Sequence, residues 1–172
     1  MYTTKEDRMR KPIIGVMGGA EVDEAAARDA YELGALIARE GWVLLNGGRA
    51  CGVMDASAKG AREAGGLTVG VLPDDDTAQV SRSIDIPIVT GMGAARNVIN
   101  VLSSDVVVAC PGSAGTLSEV SLALKAGRTV ILLGVKVGPA LAAYRGTGQL
   151  EDADSPQDAI RKVQAALRNR GF

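Results

Sequence analysis

The stretch Val106-Val107-Val108-Ala109-Cys110-Pro111-Gly112-Ser113-Ala114-Gly115-Thr116-Leu117-Ser118-Glu119-Val120 constrains this chain more than any other. A β-branched apolar run stops at Pro-Gly, crosses small residues and enters an apolar helical pattern, so it reads as a buried strand, a loop nearly free of side chains, and a helix start. The first four N–H groups of a helix lack intrahelical partners, and the helix dipole adds partial positive charge there, so such a loop suits a phosphate. The same residues admit a structural use. Thr116 followed by Glu119 has the spacing of a capping box, in which each side chain would serve a backbone N–H.

The rest of the chain repeats the pattern. Pro12-Ile13-Ile14-Gly15-Val16-Met17 reads as a buried strand running into Gly18-Gly19, followed by a helix over 23–39 with Ala26, Ala30, Leu33 and Ile37 on one face. Gly41 stops it, and a short strand over 42–45 ends at Asn46-Gly47-Gly48-Arg49. A second helix runs from Gly52 to the pair Gly65-Gly66, where a left-handed cap is cheap. Strands follow at 67–73 and 86–89, the latter near an edge because Pro87 cannot donate to a ladder. Next come Gly91-Met92-Gly93, a helix over 94–102, a strand over 105–109 and the helix following Thr116, which runs to Lys125. A sixth strand occupies 129–134. Beyond it the signal thins to a short helical turn expected over 138–148, and Ser155-Pro156-Gln157-Asp158 opens a final helix with Pro at its first position.

Strands alternating with helices imply a parallel sheet covered on both faces: an α/β, doubly wound, Rossmann-like fold. At 172 residues the chain is read as a single domain over 1–172, with 1–10 as a polar tail. Ligands of such folds bind beyond the carboxyl ends of the strands, where the loops at Gly18-Gly19, Gly47-Gly48, Gly91 to Gly93 and Gly112 to Gly115 converge. A phosphate-bearing small molecule is the expected ligand.

Several classes are disfavoured. The nicotinamide pattern Gly-x-Gly-x-x-Gly does not occur at Gly15-Val16-Met17-Gly18-Gly19-Ala20, no Walker signature is present, and no lysine falls in these loops for pyridoxal phosphate chemistry. There is no histidine, which removes His-based triads and the commonest metal ligand. Asp74-Asp75-Asp76 reads as a solvated turn rather than a cation site. Cys51 and Cys110 read as small buried hydrophobes, and no metal site is expected. A net charge of −1 and an aromatic content of 3% give no footprint for nucleic acid; the basic ends, Arg8, Arg10 and Lys11 with Arg161, Lys162, Arg168 and Arg170, read as solvated charge. No stretch is long and apolar enough to span a bilayer, and Met1 to Asp7 lacks the core of a signal peptide, which points to the cytoplasm.

Two glycine signatures resemble those of the LONELY GUY superfamily, often mislabelled lysine decarboxylases. The family patterns Gly-Gly-Gly-x-x-Gly-Leu-Met-Gly and Pro-Gly-Gly-x-Gly-Thr-x-x-Glu correspond here to Gly47-Gly48-Arg49-Ala50-Cys51-Gly52-Val53-Met54-Asp55 and Pro111-Gly112-Ser113-Ala114-Gly115-Thr116-Leu117-Ser118-Glu119. In the third motif, Met-x-x-Arg-Lys, Arg96 is kept while Gly93 and Asn97 replace the methionine and the lysine. The likeness is stronger to the branch of molybdenum cofactor carrier proteins. Lys11 to Gly18, Gly47 to Arg49 with Gly52 to Met54, Asp85 to Gly91, and Gly115-Thr116 with Glu119-Val120 and Leu122 to Ala126 carry it, and it extends from about Lys11 to Gly134.

The resemblance implies a homo-oligomeric carrier, dimer or tetramer, that holds a phosphorylated pterin–molybdenum cofactor or related oxyanion as cargo and passes it to a molybdoenzyme acceptor. Gly18, Gly47, Gly48, Gly112, Ser113, Ala114, Gly115 and Thr116 would then line the cofactor site, with Arg49 and Arg96 adding charge-assisted hydrogen bonds. Ion pairing is the alternative use of both arginines. Asn97 and Asn100 share a helix with Arg96 and read equally well as exposed polar positions. If the chain is instead a nucleoside 5′-monophosphate phosphoribohydrolase, Glu119 and Arg96 are its catalytic pair. A noncatalytic nucleotide sensor would use the same loops and leave Glu119 as a cap.

Overall fold

The computed structural model describes residues 10–172. The basic Arg8 and the rest of the proposed tail up to residue 9 lie outside the described residues. Seven strands form one sheet: β1 (Ile13–Met17), β2 (Val43–Asn46), β3 (Leu67–Leu72), β4 (Ile86–Val89), β5 (Val106–Ala109), β6 (Thr129–Leu133) and β7 (Leu150–Ala153). Their order is β4-β3-β2-β1-β5-β6-β7, and every pair is parallel. Strands buried on both faces read as continuous apolar runs, which is why Val106 to Ala109 show no alternation. Ile14, Val16, Val106 and Val108 face one layer of helices, α1 (Glu24–Arg39), α2 (Gly52–Glu63) and α6 (Pro156–Asn169). Met17, Val107 and Ala109 face the other, α3 (Asn97–Ser103) and α4 (Ala114–Lys125). No described helix is long and apolar enough to cross a membrane.

Local signals place most of these elements. Asp23 caps α1 by accepting the Ala26 N–H at 2.8 Å, and Ser155 caps α6 by accepting that of Asp158 at 3.2 Å with Pro156 in the first position. Gly65, at φ +79°, turns the chain out of α2. β4 is an edge strand, as Pro87 requires. Three features differ from the sequence reading. The helix expected over 94–102 splits into a 3₁₀ turn, Gly93–Arg96, and α3. The region 138–148 holds α5 (Pro139–Ala142) and a 3₁₀ turn, Ala143–Thr147, and leads into β7, which the sequence did not announce. β7 pairs on one side only and carries Glu151 and Asp152, so only Leu150 and Ala153 turn into the core. Cys110 is buried, whereas Cys51, at the N-cap of α2, is only half-buried.

The basic ends are not simply solvated. Arg10 donates twice to Asp105, at 2.7 Å to each carboxylate oxygen, and lies 5.0 Å over the ring of Phe172. Asp105 also accepts the Ile13 N–H at 2.9 Å, and its carbonyl accepts from Arg170 at 2.6 Å. Burial works against the Asp105 charge, but these hydrogen bonds and the charges of Arg10 and Arg170 outweigh it and hold the carboxyl below its usual range. A depressed carboxyl stabilises the fold above its unfolded pKa, about 3.9, and loses that contribution as pH falls through the lower folded value. Asp105→Asn should therefore cost about 1–3 kcal/mol at neutral pH and flatten the acid side of the stability curve below about pH 4. Urea midpoints measured across pH check this, and an unchanged profile would contradict it.

Candidate functional site

β1 lies between β2 and β5, and the chain leaves β1 towards one edge of the sheet and β5 towards the other. The loops after these two strands therefore diverge and open a crevice at the switch point. They stay in contact at its floor: Cys110 N–H donates to the Met17 carbonyl at 2.7 Å, and Gly19 N–H to that of Pro111 at 2.9 Å. This approach needs two glycines. A Cβ on Gly112 would sit 2.7 Å from the Gly19 nitrogen and 2.1 Å from Thr116 Oγ1, and one on Gly19 would sit 3.0 Å from the Gly112 Cα.

α4 starts from this floor. It begins at Ala114, and its N-cap Ser113 is extended and makes no side-chain cap bond. Thr116 is thus the third helical residue and Glu119 lies a turn further in, so the capping-box reading of this pair is corrected. The N–H groups of Ala114, Gly115 and Thr116 have no partner among the described residues. The Thr116 side chain is buried, with the residue 4% exposed, and its hydroxyl makes no hydrogen bond among the described residues.

One turn along the helix, Glu119 is 6% exposed and accepts from Asn100 Nδ2 at 2.8 Å through Oε1. Arg96 Nη1 stands 3.9 Å from the same oxygen, too far for a hydrogen bond. Burial raises the Glu119 pKa, against the Asn100 hydrogen bond and the Arg96 charge. Burial likewise lowers that of Arg96, with Glu119 and Asp74 opposing and Arg49 adding to the fall. Arg96 Nε and Asn100 Oδ1 are buried without partners in the described structure, which marks an under-satisfied polar cluster. Gly47 lies beneath the guanidinium; a Cβ there would fall 2.7 Å from both Nη atoms and 2.6 Å from Met54 Sδ.

These groups surround a small socket of about 160 Å³. Of the residues predicted from sequence, Gly18, Gly47, Arg96, Ser113, Gly115, Thr116 and Glu119 line it. Gly112 faces an adjoining cleft of about 540 Å³ that shares Gly19, Ala20 and Ser113 with the socket, and Ala114 is exposed on the first turn of α4. Gly48 and Arg49 do not line the socket. The Gly48 N–H donates to Asn46 Oδ1 at 2.8 Å and is not free for a ligand. Arg49 pairs with Asp74 through two hydrogen bonds of 2.5 and 3.1 Å, so its ion-pair alternative describes it and the acidic run contributes a partner rather than a solvated turn at that residue. Asn97 lines the socket and donates to Ser118 Oγ at 3.1 Å, while Asn100 is fully buried rather than an exposed polar position.

Two residues hold the site in ways the sequence reading did not assign to them. Asn46, fully buried at the end of β2, donates to the Met54 carbonyl at 2.8 Å and to Ser57 Oγ at 3.1 Å, which fixes the β2–α2 loop and the floor under Arg96. Asn100 holds Glu119. An asparagine directly before Gly47-Gly48 was the available signal for the first; the second required the α3–α4 packing.

The site can grip an anion through backbone donors, the Thr116 hydroxyl and Arg96, and it holds one buried carboxylate. Burial pushes the Cys110 thiol up to about 12, so it stays protonated and unreactive. No group of three or more potential metal ligands occurs among the described residues. A larger groove of about 1130 Å³ between α1 and α2, lined by outward residues such as Arg28, Tyr31 and Lys59, lacks the convergent backbone donors of the socket.

A model of the SLOG cluster4 family matches residues 11–160. The molybdenum cofactor binding protein of the phototrophic bacterium Rippkaea orientalis is 52% identical with a TM-score of 0.88, covering 93% of this chain and 99% of that one. The molybdenum cofactor carrier protein of Chlamydomonas reinhardtii is 48% identical with a TM-score of 0.84, covering 92% and 99%. The cytokinin riboside 5′-monophosphate phosphoribohydrolase of Mycobacterium tuberculosis is 40% identical over 102 residues, 58% of this chain and 52% of that protein.

Gly47→Ala should separate site from fold. The nearest atoms the methyl meets are the ends of the long Arg96 and Met54 side chains, so stability should stay within about 1 kcal/mol of wild type while affinity for inorganic phosphate falls. Calorimetric titration beside thermal melting checks this; undiminished phosphate binding would place the anion away from Arg96.

Proposed function

The chain belongs to the SLOG cluster4 family, and from its likeness over nearly the whole chain to molybdenum cofactor binding and carrier structures we propose that it is a molybdenum cofactor carrier that binds and protects the phosphorylated pterin–molybdenum cofactor in the crevice between β1 and β5. The observation that carries this reading is the run of free N–H groups on the first turn of α4, beside the buried Thr116 hydroxyl. The dimensions suit the cargo in two parts: the socket admits an anionic group, and the adjoining cleft past Gly19 and Ser113 has room for the organic part. The two carrier-like structures, aligned over nearly the whole chain, support the same assignment.

A specific observation favours a second reading, hydrolysis of nucleoside 5′-monophosphates, because Arg96 and Glu119 face the same socket. Against it stand Gly93 and Asn97 at the altered third motif. A carrier needs even binding of its cargo, whereas a hydrolase must bind the transition state more tightly than the substrate.

The proposed carrier works as a homo-oligomer in the cytoplasm and delivers to a molybdoenzyme acceptor. Exposed apolar residues on β4, α3 and α4, including Ile88, Val98, Leu102 and Leu117, offer a face for a second copy. Leu117→Asp should shift the protein towards monomer in analytical ultracentrifugation, and an unchanged mass would place the interface elsewhere.

Thr116→Val keeps the shape of the side chain and removes its hydroxyl. It should weaken binding of the molybdenum cofactor by about tenfold with an unchanged melting temperature. Wild-type protein given adenosine monophosphate should release no adenine. Unchanged cofactor affinity in the variant contradicts the placement, and steady adenine release reverses the choice between carrier and hydrolase.

A further inference from the structure

The carrier reading leaves Glu119 unexplained, because a buried carboxylate inside an anion socket repels what the socket is built to hold. Glu119 reaches the socket from α4, one turn past Thr116, and both side chains are more than nine-tenths buried. Its Oε1 is committed to Asn100, and Asn100 is itself fixed where Ser104 Oγ donates to its carbonyl at 2.7 Å. Arg96 stays beyond hydrogen-bond distance. Glu119 Oε2 has no partner among the described residues and meets the socket as a bare acceptor. Such an acceptor is satisfied by a donor on the occupant or by a water retained beside it in a socket of about 160 Å³, and only the first adds a bond from the ligand itself.

We propose that Glu119 makes the socket selective for an oxyanion that still carries a proton, such as hydrogen phosphate or, below its second pKa of about 6, the monoanion of the cargo's phosphate end. The α4 amides, the Thr116 hydroxyl and Arg96 take the unprotonated oxygens, and the O–H donates to Glu119 Oε2 in a charge-assisted hydrogen bond. An aprotic oxyanion of equal charge and shape sets oxygen against oxygen and is turned away. This rests on the anion-socket reading above and adds to it the residue that determines specificity.

Inorganic phosphate and sulfate test it, since at pH 8 both are chiefly dianions and only phosphate keeps an O–H. Calorimetric titration of the full chain should show phosphate preferred by at least about 100-fold. In Glu119→Gln, Asn100 still claims the Oε1 position and turns the new amide N–H₂ into the socket, so sulfate should gain and the preference should fall below about tenfold. Equal affinities in the wild-type protein overturn this inference while leaving the anion socket standing, whatever the variant does. Binding of neither anion overturns the socket itself. At pH 6, where the cargo's phosphate end also keeps a proton in a large share of molecules, inorganic phosphate should no longer titrate protein loaded with molybdenum cofactor; undiminished phosphate binding there would assign the socket to free phosphate and overturn its assignment to the cargo.

Discussion

The loops leaving β1 and β5 meet because Gly19 and Gly112 have no side chains, and the ligand end of the molecule depends on that contact. The Gly19–Pro111 hydrogen bond closes the floor of the crevice, and Thr116 Oγ1 packs over Gly112 where a methyl group would stand. α4 can then begin at Ala114 with its first-turn amides facing the open space rather than a neighbouring chain. A side chain at either glycine would separate the loops and change the direction from which the helix dipole reaches an anion.

A second layer of interactions sets the charge in that space. Asn46 ties the β2 loop to α2, Gly47 leaves room for Arg96, and Asn100 carries α3 against Glu119. Arg96 and Glu119 nearly cancel in formal charge, so attraction for an anion comes chiefly from oriented backbone donors in a site of reduced dielectric. Such donors hold position without a flexible side chain having to be ordered, which suits the proposed holding of an anion without chemistry.

The amino-acid sequence showed the parallel sheet and the crevice clearly, because Val106 to Ala109, Ile13 to Met17 and Thr129 to Leu133 have the apolar continuity of strands covered on both faces. It also named Arg96, Thr116 and Glu119, which the fold brings together around one socket. It was less informative where partners are distant in the chain. Arg49 finds Asp74 and Asn100 finds Glu119 across tertiary contacts that no local spacing encodes. The start of α4 was misplaced because Ser113 and Thr116 are equally good caps by residue type; the extended backbone at Ser113 decides between them. β7 was missed because an edge strand with two acidic residues lacks the pattern of a buried one.

The central claim is that free amides on the first turn of α4 hold the anionic end of the cargo. Amide-resolved NMR of the protein, recorded while molybdenum cofactor is added, observes those groups directly. The account predicts that the N–H signals of Ala114, Gly115 and Thr116 shift together and become protected from exchange with solvent as the cofactor binds. Saturable binding that leaves these three amides unmoved and still exchanging freely would contradict it.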